Sequence, residues 1–237
     1  VIPLRDAQPP RRRPALTFAA VVACAAVYGL ELAVLALGGD AAIEDLFARF
    51  GVVPSAASDA LAAGAVDPAV VLSFATYAFL HAGWLHLAGN LLYLWIFGNN
   101  VEDRLGRVGF AAFWLAGGAV AALAHVAVDP RSDLPLVGAS GAVSAILGAY
   151  LVLFPGARVV SLVFLGFFYQ LAQVPAIVLL AFWFALQLLD GVLALGADSA
   201  AGGVAFFAHI GGFAFGLAVG GGLRLVDRLR RGPADGG

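Results

Sequence analysis

Apolar positions in this chain run together in long blocks separated by short polar punctuation, with no sustained alternation. A helix needs roughly 20 apolar residues to cross the hydrocarbon core of a bilayer. Six blocks approach that length, at 16–37, 84–99, 108–128, 139–155, 172–195 and 203–223. The segment 38–83 between the first two is too long for an idle connection. Within it Ile43, Leu46, Phe47 and Phe50 recur at helical spacing, with Glu44, Asp45 and Arg49 between them. That is the pattern of an amphipathic helix lying at an interface or packed on a bundle as a loop helix. There is no fixed-period repeat and no sign of a second domain. The expected architecture is all-α: a polytopic membrane protein with six spans in one bundle.

Composition supports the membrane reading. The chain is 62% hydrophobic and 12% charged, with a mean hydropathy of +0.95, outside the range of ordinary soluble domains. The formal charge of −2 conceals an asymmetry, because all 13 basic residues are arginine and they cluster. Six spans put both ends of the bundle on one side. If that side is the cytoplasm, Arg5, Arg11, Arg12, Arg13, Arg104, Arg107, Arg158, Arg224, Arg228, Arg230 and Arg231 lie inside, and only Arg49 and Arg131 lie outside. This obeys the positive-inside rule. The expected layout is a cytoplasmic segment 1–15, a six-helix domain 16–223 and a cytoplasmic tail 224–237. Arg11-Arg12-Arg13 before an apolar block resembles a signal peptide, but the block is too long for an h-region and is taken as a retained span. The single cysteine, Cys24, excludes an intramolecular disulfide.

Two reactive side chains sit in small-residue surroundings within these blocks. Gly138-Ala139-Ser140-Gly141 opens the fourth block, and Ala208-His209-Ile210-Gly211-Gly212 lies in the sixth. Spans four and six run in the same direction, so Ser140 and His209 approach from one face of the membrane. Ser140, Ser144 and Gly148 make one smooth stripe, and His209, Gly212, Gly216 and Gly220 make another; small residues let membrane helices come close. Because His209 lies about two turns into its span, at ~1.5 Å per residue, the fourth helix must be short. The stretch 129–139, with Pro130 and Pro135, must then dip inward and line a water-filled cavity. A serine nucleophile needs a base and donors for the oxyanion. In span two, His86 and Asn90 share a helix face near the outer end, and with the backbone N–H of Ser140 they would form an oxyanion hole.

These motifs in this order resemble the rhomboid intramembrane serine proteases: His86-x-x-x-Asn90 in span two, Gly138-x-Ser140-Gly141 opening span four, and Ala208-His209 followed by Gly211 and Gly212 in span six. Glu102, in Asn100-Val101-Glu102-Asp103-Arg104-Leu105-Gly106, resembles the family's inner-loop signature. The resemblance implies a rhomboid-like six-helix bundle in a bacterial cytoplasmic membrane, with both termini cytoplasmic and the site open to the outer face. It implies Ser140 as nucleophile, His209 as general base and acid of a dyad, and His86 and Asn90 as oxyanion stabilisers, with Gly138 and His81 in the outer shell. The substrates would be transmembrane proteins in the same bilayer, cut near the outer leaflet; no cofactor, metal or nucleic acid is implied, and oligomeric state is left open. Two departures stand out. Some members carry a tyrosine four residues after the serine that stacks on the imidazole, where this chain has Ser144. A Trp-Arg pair found in the first outer loop of some members has no counterpart in 38–83.

Other readings of the same residues are structural. A serine among glycines serves helix packing equally well, and Gln187 in span five is the kind of amide that bridges helices. Glu31 and Asp190, near the outer ends of spans one and five, are alternatives for a third catalytic member, against the expected dyad. The four histidines, including His125, lack the carboxylate or cysteine cluster of familiar zinc spacing. The principal rival function is a non-proteolytic relative that binds or moves membrane helices. A solute transporter or proton relay would require paired discontinuous-helix repeats.

Overall fold

The computed structural model describes residues 1–64, 67–166, 168–194 and 205–231. Its elements are β1 (Ile2–Asp6), α1 (Ala15–Phe50), α2 (Pro54–Ala62), α3 (Pro68–Thr76), α4 (Trp84–Tyr93), α5 (Asn99–Val128), α6 (Ser140–Leu153), β2 (Arg158–Leu165), β3 (Phe168–Pro175), α7 (Ala176–Ala194) and α8 (Phe206–Arg231). A 3₁₀ turn, Tyr77–Phe79, follows α3, and a π-helical turn, Leu94–Gly98, joins α4 to α5.

Two glycines divide long helices where the hydropathy blocks require it. At Gly39 (φ 71°) α1 leaves helical geometry, separating the apolar part 15–38 from a second part, 40–50. In that second part Ile43, Leu46 and Phe47 are half-buried while Glu44, Asp45 and Arg49 are exposed, as the amphipathic pattern predicts, though Phe50 at its end is exposed. At Gly106 (φ 72°) the helix breaks again, dividing 84–105 from 107–128. Left-handed φ is cheap only for glycine. Ala15–Phe50, Trp84–Val128, Ala176–Leu193 and Phe206–Arg230 are long and apolar enough to cross a membrane. With the break at Gly106 and the shorter α6, they account for all six expected spans of a multi-pass membrane protein.

The core is organised around α6. Every residue from Gly141 to Tyr150 is buried, which marks a helix surrounded on all sides. Its 14 residues make it about 21 Å long at ~1.5 Å per residue, short of the ~30 Å hydrocarbon core. Against it lies α8, and the glycine stripe explains how close the two come. A Cβ on Gly212 would collide with the carbonyl of Gly141, on Gly216 with that of Ala145, and on Gly148 with the backbone of Phe213 and Leu217. α1 and α7, by contrast, leave most of their apolar residues exposed, as lipid-facing helices do.

One feature departs from an all-helical chain. β1, β2 and β3 form a three-stranded antiparallel sheet in that order, with Ile2 opposite Leu162 and Arg158 opposite Pro175. Residues 172–175, read above as the start of the fifth span, are therefore strand, and the helix begins at Ala176. Val159, Val160, Val163, Tyr169 and Val174 favour extended backbone, and Gly166 (φ 67°) begins the turn between the strands. Residue 195 of the fifth predicted span and 203–204 of the sixth lie outside the described residues. α8 continues past the predicted end at 223 to Arg231.

Polar contacts fasten the sheet end of the bundle. Buried Asp6 accepts hydrogen bonds from Asn100 Nδ2 and Tyr150 Oη, both at 2.5 Å. Glu102, also buried, accepts from Leu16 N (3.0 Å), Thr17 N (2.7 Å) and Thr17 Oγ1 (2.8 Å). It thereby satisfies first-turn donors of α1 that have no intrahelical partner. Arg104 pairs with Asp227 on α8.

Candidate active site

The stretch before α6 has no regular structure of its own and is held by its neighbours. Leu136 exchanges backbone hydrogen bonds with Val52 (2.8 and 3.1 Å), and Gly138 N donates to Tyr77 O at 2.9 Å. Ser55 Oγ donates to Asp133 at 2.6 Å. The consequence is a fixed conformation at Gly138, whose φ is 122°. A Cβ there would also lie 2.6 Å from Cε1 and Nε2 of His86 and 3.6 Å from Nδ2 of Asn90. Gly138 is thus required twice over, for its backbone and for the space that His86 fills.

His86 and Asn90, four residues apart on α4, are therefore brought to the N-terminal end of α6, two residues from Ser140. Asn90 is buried, and its Nδ2 has no hydrogen-bond partner among the described residues. An unpaired buried donor is costly; here it stands beside Gly138, two residues before the half-buried Ser140. His81 is buried behind this pair, its ring edge-on to His86 with centroids 5.2 Å apart. It is anchored by Nδ1 near Phe79 O (3.1 Å) and by its backbone N–H, which donates to Glu31 Oε1 at 3.0 Å.

His209 reaches the same end of α6 from the opposite side. Along the seam Gly212 abuts Gly141, Gly216 abuts Ala145 and Gly220 abuts Ala149, so the two helices run parallel in constant register. One turn before Gly212, that register sets His209 level with Gly138–Ser140. The imidazole is buried, its Nδ1 lies 2.5 Å from Oε1 of Gln187 on α7, and Trp183 packs beside it with ring centroids 6.0 Å apart. Among the described residues Ser140 Oγ makes no side-chain hydrogen bond, to His209 or to any other group.

Neither carboxylate weighed as a third member reaches the imidazole. Glu31 is taken up by the backbone of His81, and Asp190 makes no hydrogen bond among the described residues. Gln187 makes the contact instead, where the sequence reading gave it only a bridging role. The sequence reading did not name Tyr77. Its hydroxyl donates to Gly118 O at 2.6 Å while its carbonyl holds Gly138. It is fully buried against Gly141. The available signal was an aromatic with a polar tip in an apolar stretch just before the histidine motif. Ser144, at the position where a stacking tyrosine occurs in some rhomboids, turns its Oγ back to Ser140 O at 2.6 Å.

Comparison with known proteins bears on the family. The family model described as Rhomboid domain matches residues 68–225. The chain is 46% identical over 70 residues to Rhomboid-like protein 11, chloroplastic, of Arabidopsis thaliana, covering 30% of this chain and 25% of that protein. It is 42% identical over 72 residues to Rhomboid protease GluP of Bacillus subtilis, covering 30% and 14%. It is 35% identical over 141 residues to RHOMBOID-like protein 4 of Arabidopsis thaliana, covering 60% and 31%. In each case the match spans less than a third of the relative's length.

Proposed function

The chain belongs to the rhomboid family, and from that premise we propose that it is an intramembrane serine endopeptidase acting on the transmembrane helices of other proteins. The observation that carries this reading is the unpaired, buried Asn90 Nδ2. It sits with His86 against Gly138 at the start of α6, while the α6–α8 seam delivers His209 to the same level. A donor left unsatisfied in the resting protein is what an oxyanion hole needs.

In the proposed reaction Ser140 Oγ attacks the scissile carbonyl carbon and gives its proton to Nε2 of His209. The oxyanion is held by Asn90 Nδ2, His86 and the backbone N–H of Ser140. Collapse breaks the C–N bond, and the leaving amine takes the proton from Nε2. Water then attacks the acyl-enzyme, again passing its proton to His209, and the released serine recovers it. Removing one oxyanion donor typically costs about 10²–10³ in rate. Helical peptide bonds are protected, so substrates should unwind at small or helix-breaking residues near the membrane surface. Gly138 and His81 shape the hole without touching substrate. The arginine asymmetry supports a bacterial inner-membrane setting with 1–15 and 224–237 in the cytoplasm, the domain 16–223 in the bilayer and the site opening to the outer face.

The test is cleavage of a transmembrane reporter in liposomes by the wild type, Ser140→Ala and His209→Ala, with fluorophosphonate labelling in parallel. Loss of cleavage in both folded variants, and loss of labelling with Ser140→Ala, is the expected result. A wild type that neither cleaves nor labels would instead favour a family member that binds membrane helices without cutting them.

A further inference from the structure

The catalytic reading leaves one requirement open, which is what fixes the ring of His209. A neutral imidazole has two tautomers, and only the one protonated at Nδ1 leaves Nε2 free to take a proton from Ser140. Resting on the proposed function, we propose that Gln187 is the positioning residue that holds His209 in that tautomer. Its amide stands where other serine hydrolases place a carboxylate.

The geometry is direct. Gln187 Oε1 lies 2.5 Å from Nδ1 of His209; an amide oxygen can only accept, so Nδ1 carries the proton and donates it. Among the described residues no competing group takes the job. Ser144 Oγ is committed to Ser140 O, Glu31 Oε1 to the backbone of His81, and Asp190 makes no hydrogen bond among the described residues. The ring is buried, so bulk water does not compete, and Trp183, itself packed on Phe213, lies beside it.

An amide also suits the location. An ionised carboxylate within a membrane span is costly and would hold the imidazole in its charged form, whereas a neutral acceptor orients the ring without adding charge. Gln187 therefore supplies direction without the electrostatic term that a triad carboxylate brings. Its helix, α7, is otherwise largely lipid-facing, and this contact, with Trp183 beside the ring, ties it to the chemistry.

The variants Gln187→Leu and Gln187→Glu separate positioning from packing. Leucine fills similar space with no acceptor, so kcat should fall about 10- to 100-fold with KM unchanged, while the buried Nδ1–H left unpaired lowers the unfolding midpoint. Glutamate keeps the acceptor and adds charge, so turnover should stay within about tenfold of wild type. Meanwhile the acidic limb of kcat/KM should move to higher pH, because a neighbouring carboxylate favours the imidazolium. The other titratable groups acting on His209 are His86 on α4 and His125 on α5; with Asp190 on α7 they are the same in all variants. A readout independent of turnover is the ¹⁵N spectrum of ring-labelled His209 in a Ser140→Ala background. It should show protonated Nδ1 with Gln187 and lose that signature with Gln187→Leu. An inactive wild type that keeps this dependence would sink the protease reading and retain the positioning role. Unchanged kcat in Gln187→Leu, or a ¹⁵N pattern indifferent to residue 187, would overturn the role of Gln187.

Discussion

Replacing Gly216 by alanine tests the seam on which the whole site hangs. A Cβ at this position would fall well inside the 3.0 Å that real Cβ atoms keep from other heavy atoms, against Ala145 O, Ala145 C and Ala149 N. All three are backbone atoms, which cannot rotate aside as a side chain can, so α6 and α8 must part. Overpacking of this kind costs about 1–3 kcal/mol, partly offset by the roughly 0.5–1 kcal/mol that alanine gains over glycine within a helix. The net expectation is a loss on the order of 1–2 kcal/mol. The functional loss should be larger. Separation displaces His209 from Ser140, and a misplacement of about 1 Å can cost 10²-fold in rate. The control lies two turns on: Gly222 has nothing within 4 Å of its would-be Cβ, so Gly222→Ala should be neutral or slightly stabilising. The assay pairs the midpoint of detergent-mediated unfolding with reporter cleavage. Equal midpoints and equal turnover in Gly216→Ala and Gly222→Ala would refute the close-approach argument.

Other substitutions probe the supports around the site. Gly138→Ala combines a disfavoured φ with a collision on the His86 ring and should lower turnover at least 10²-fold, as removal of an oxyanion donor does; wild-type kinetics would show that the ring has room to yield. Tyr77→Phe removes the hydroxyl that donates to Gly118 O, a carbonyl that keeps its partner within α5, and should cost about 0.5–1.5 kcal/mol for the one bond lost, read as a lower unfolding midpoint. Glu102→Ala strips three hydrogen bonds from the first turn of α1. It should destabilise by at least ~2 kcal/mol, with Glu102→Gln intermediate; hydrogen exchange at Leu16 and Thr17 should rise in the alanine variant and stay slow if water replaces the carboxylate without penalty.

Much of the helical frame was legible because the bilayer imposes a length on apolar runs and glycine marks where helices break or touch. The stripe Gly212, Gly216, Gly220 predicted the α6–α8 contact, and the pattern around Ile43 predicted the short helix after Gly39. That His86 and Asn90 share one face followed from helix period, whereas their approach to Gly138 is seen only in the fold. The sheet was missed because 156–171 reads as a connection between spans and the end of β3 runs without a break into α7; a hydropathy block does not distinguish an extended run from a helix of the same composition. Gln187 was undervalued for a different reason. An amide on a lipid-facing helix gives no periodic signal, and only the fold reveals that it ends at Nδ1 of His209. Tyr77 lay in a segment assigned to the interface, where a buried role had no pattern to announce it.

The pairing of β1 with β2 also bears on how the protein is made. Asp6 meets Tyr150 across a sequence separation of 144 residues. At about 5–20 residues per second, the first strand leaves the ribosome roughly 7–30 s before its partners exist. Through that interval it is an unpaired edge, the kind of surface that invites pairing with another chain. Arg5 within the strand and the arginine run after it place charge on the segment that has to wait. The bundle can insert span by span, but this end of it closes only after α6 and the hairpin have been synthesised, so completion of the sheet would report the end of assembly rather than its beginning.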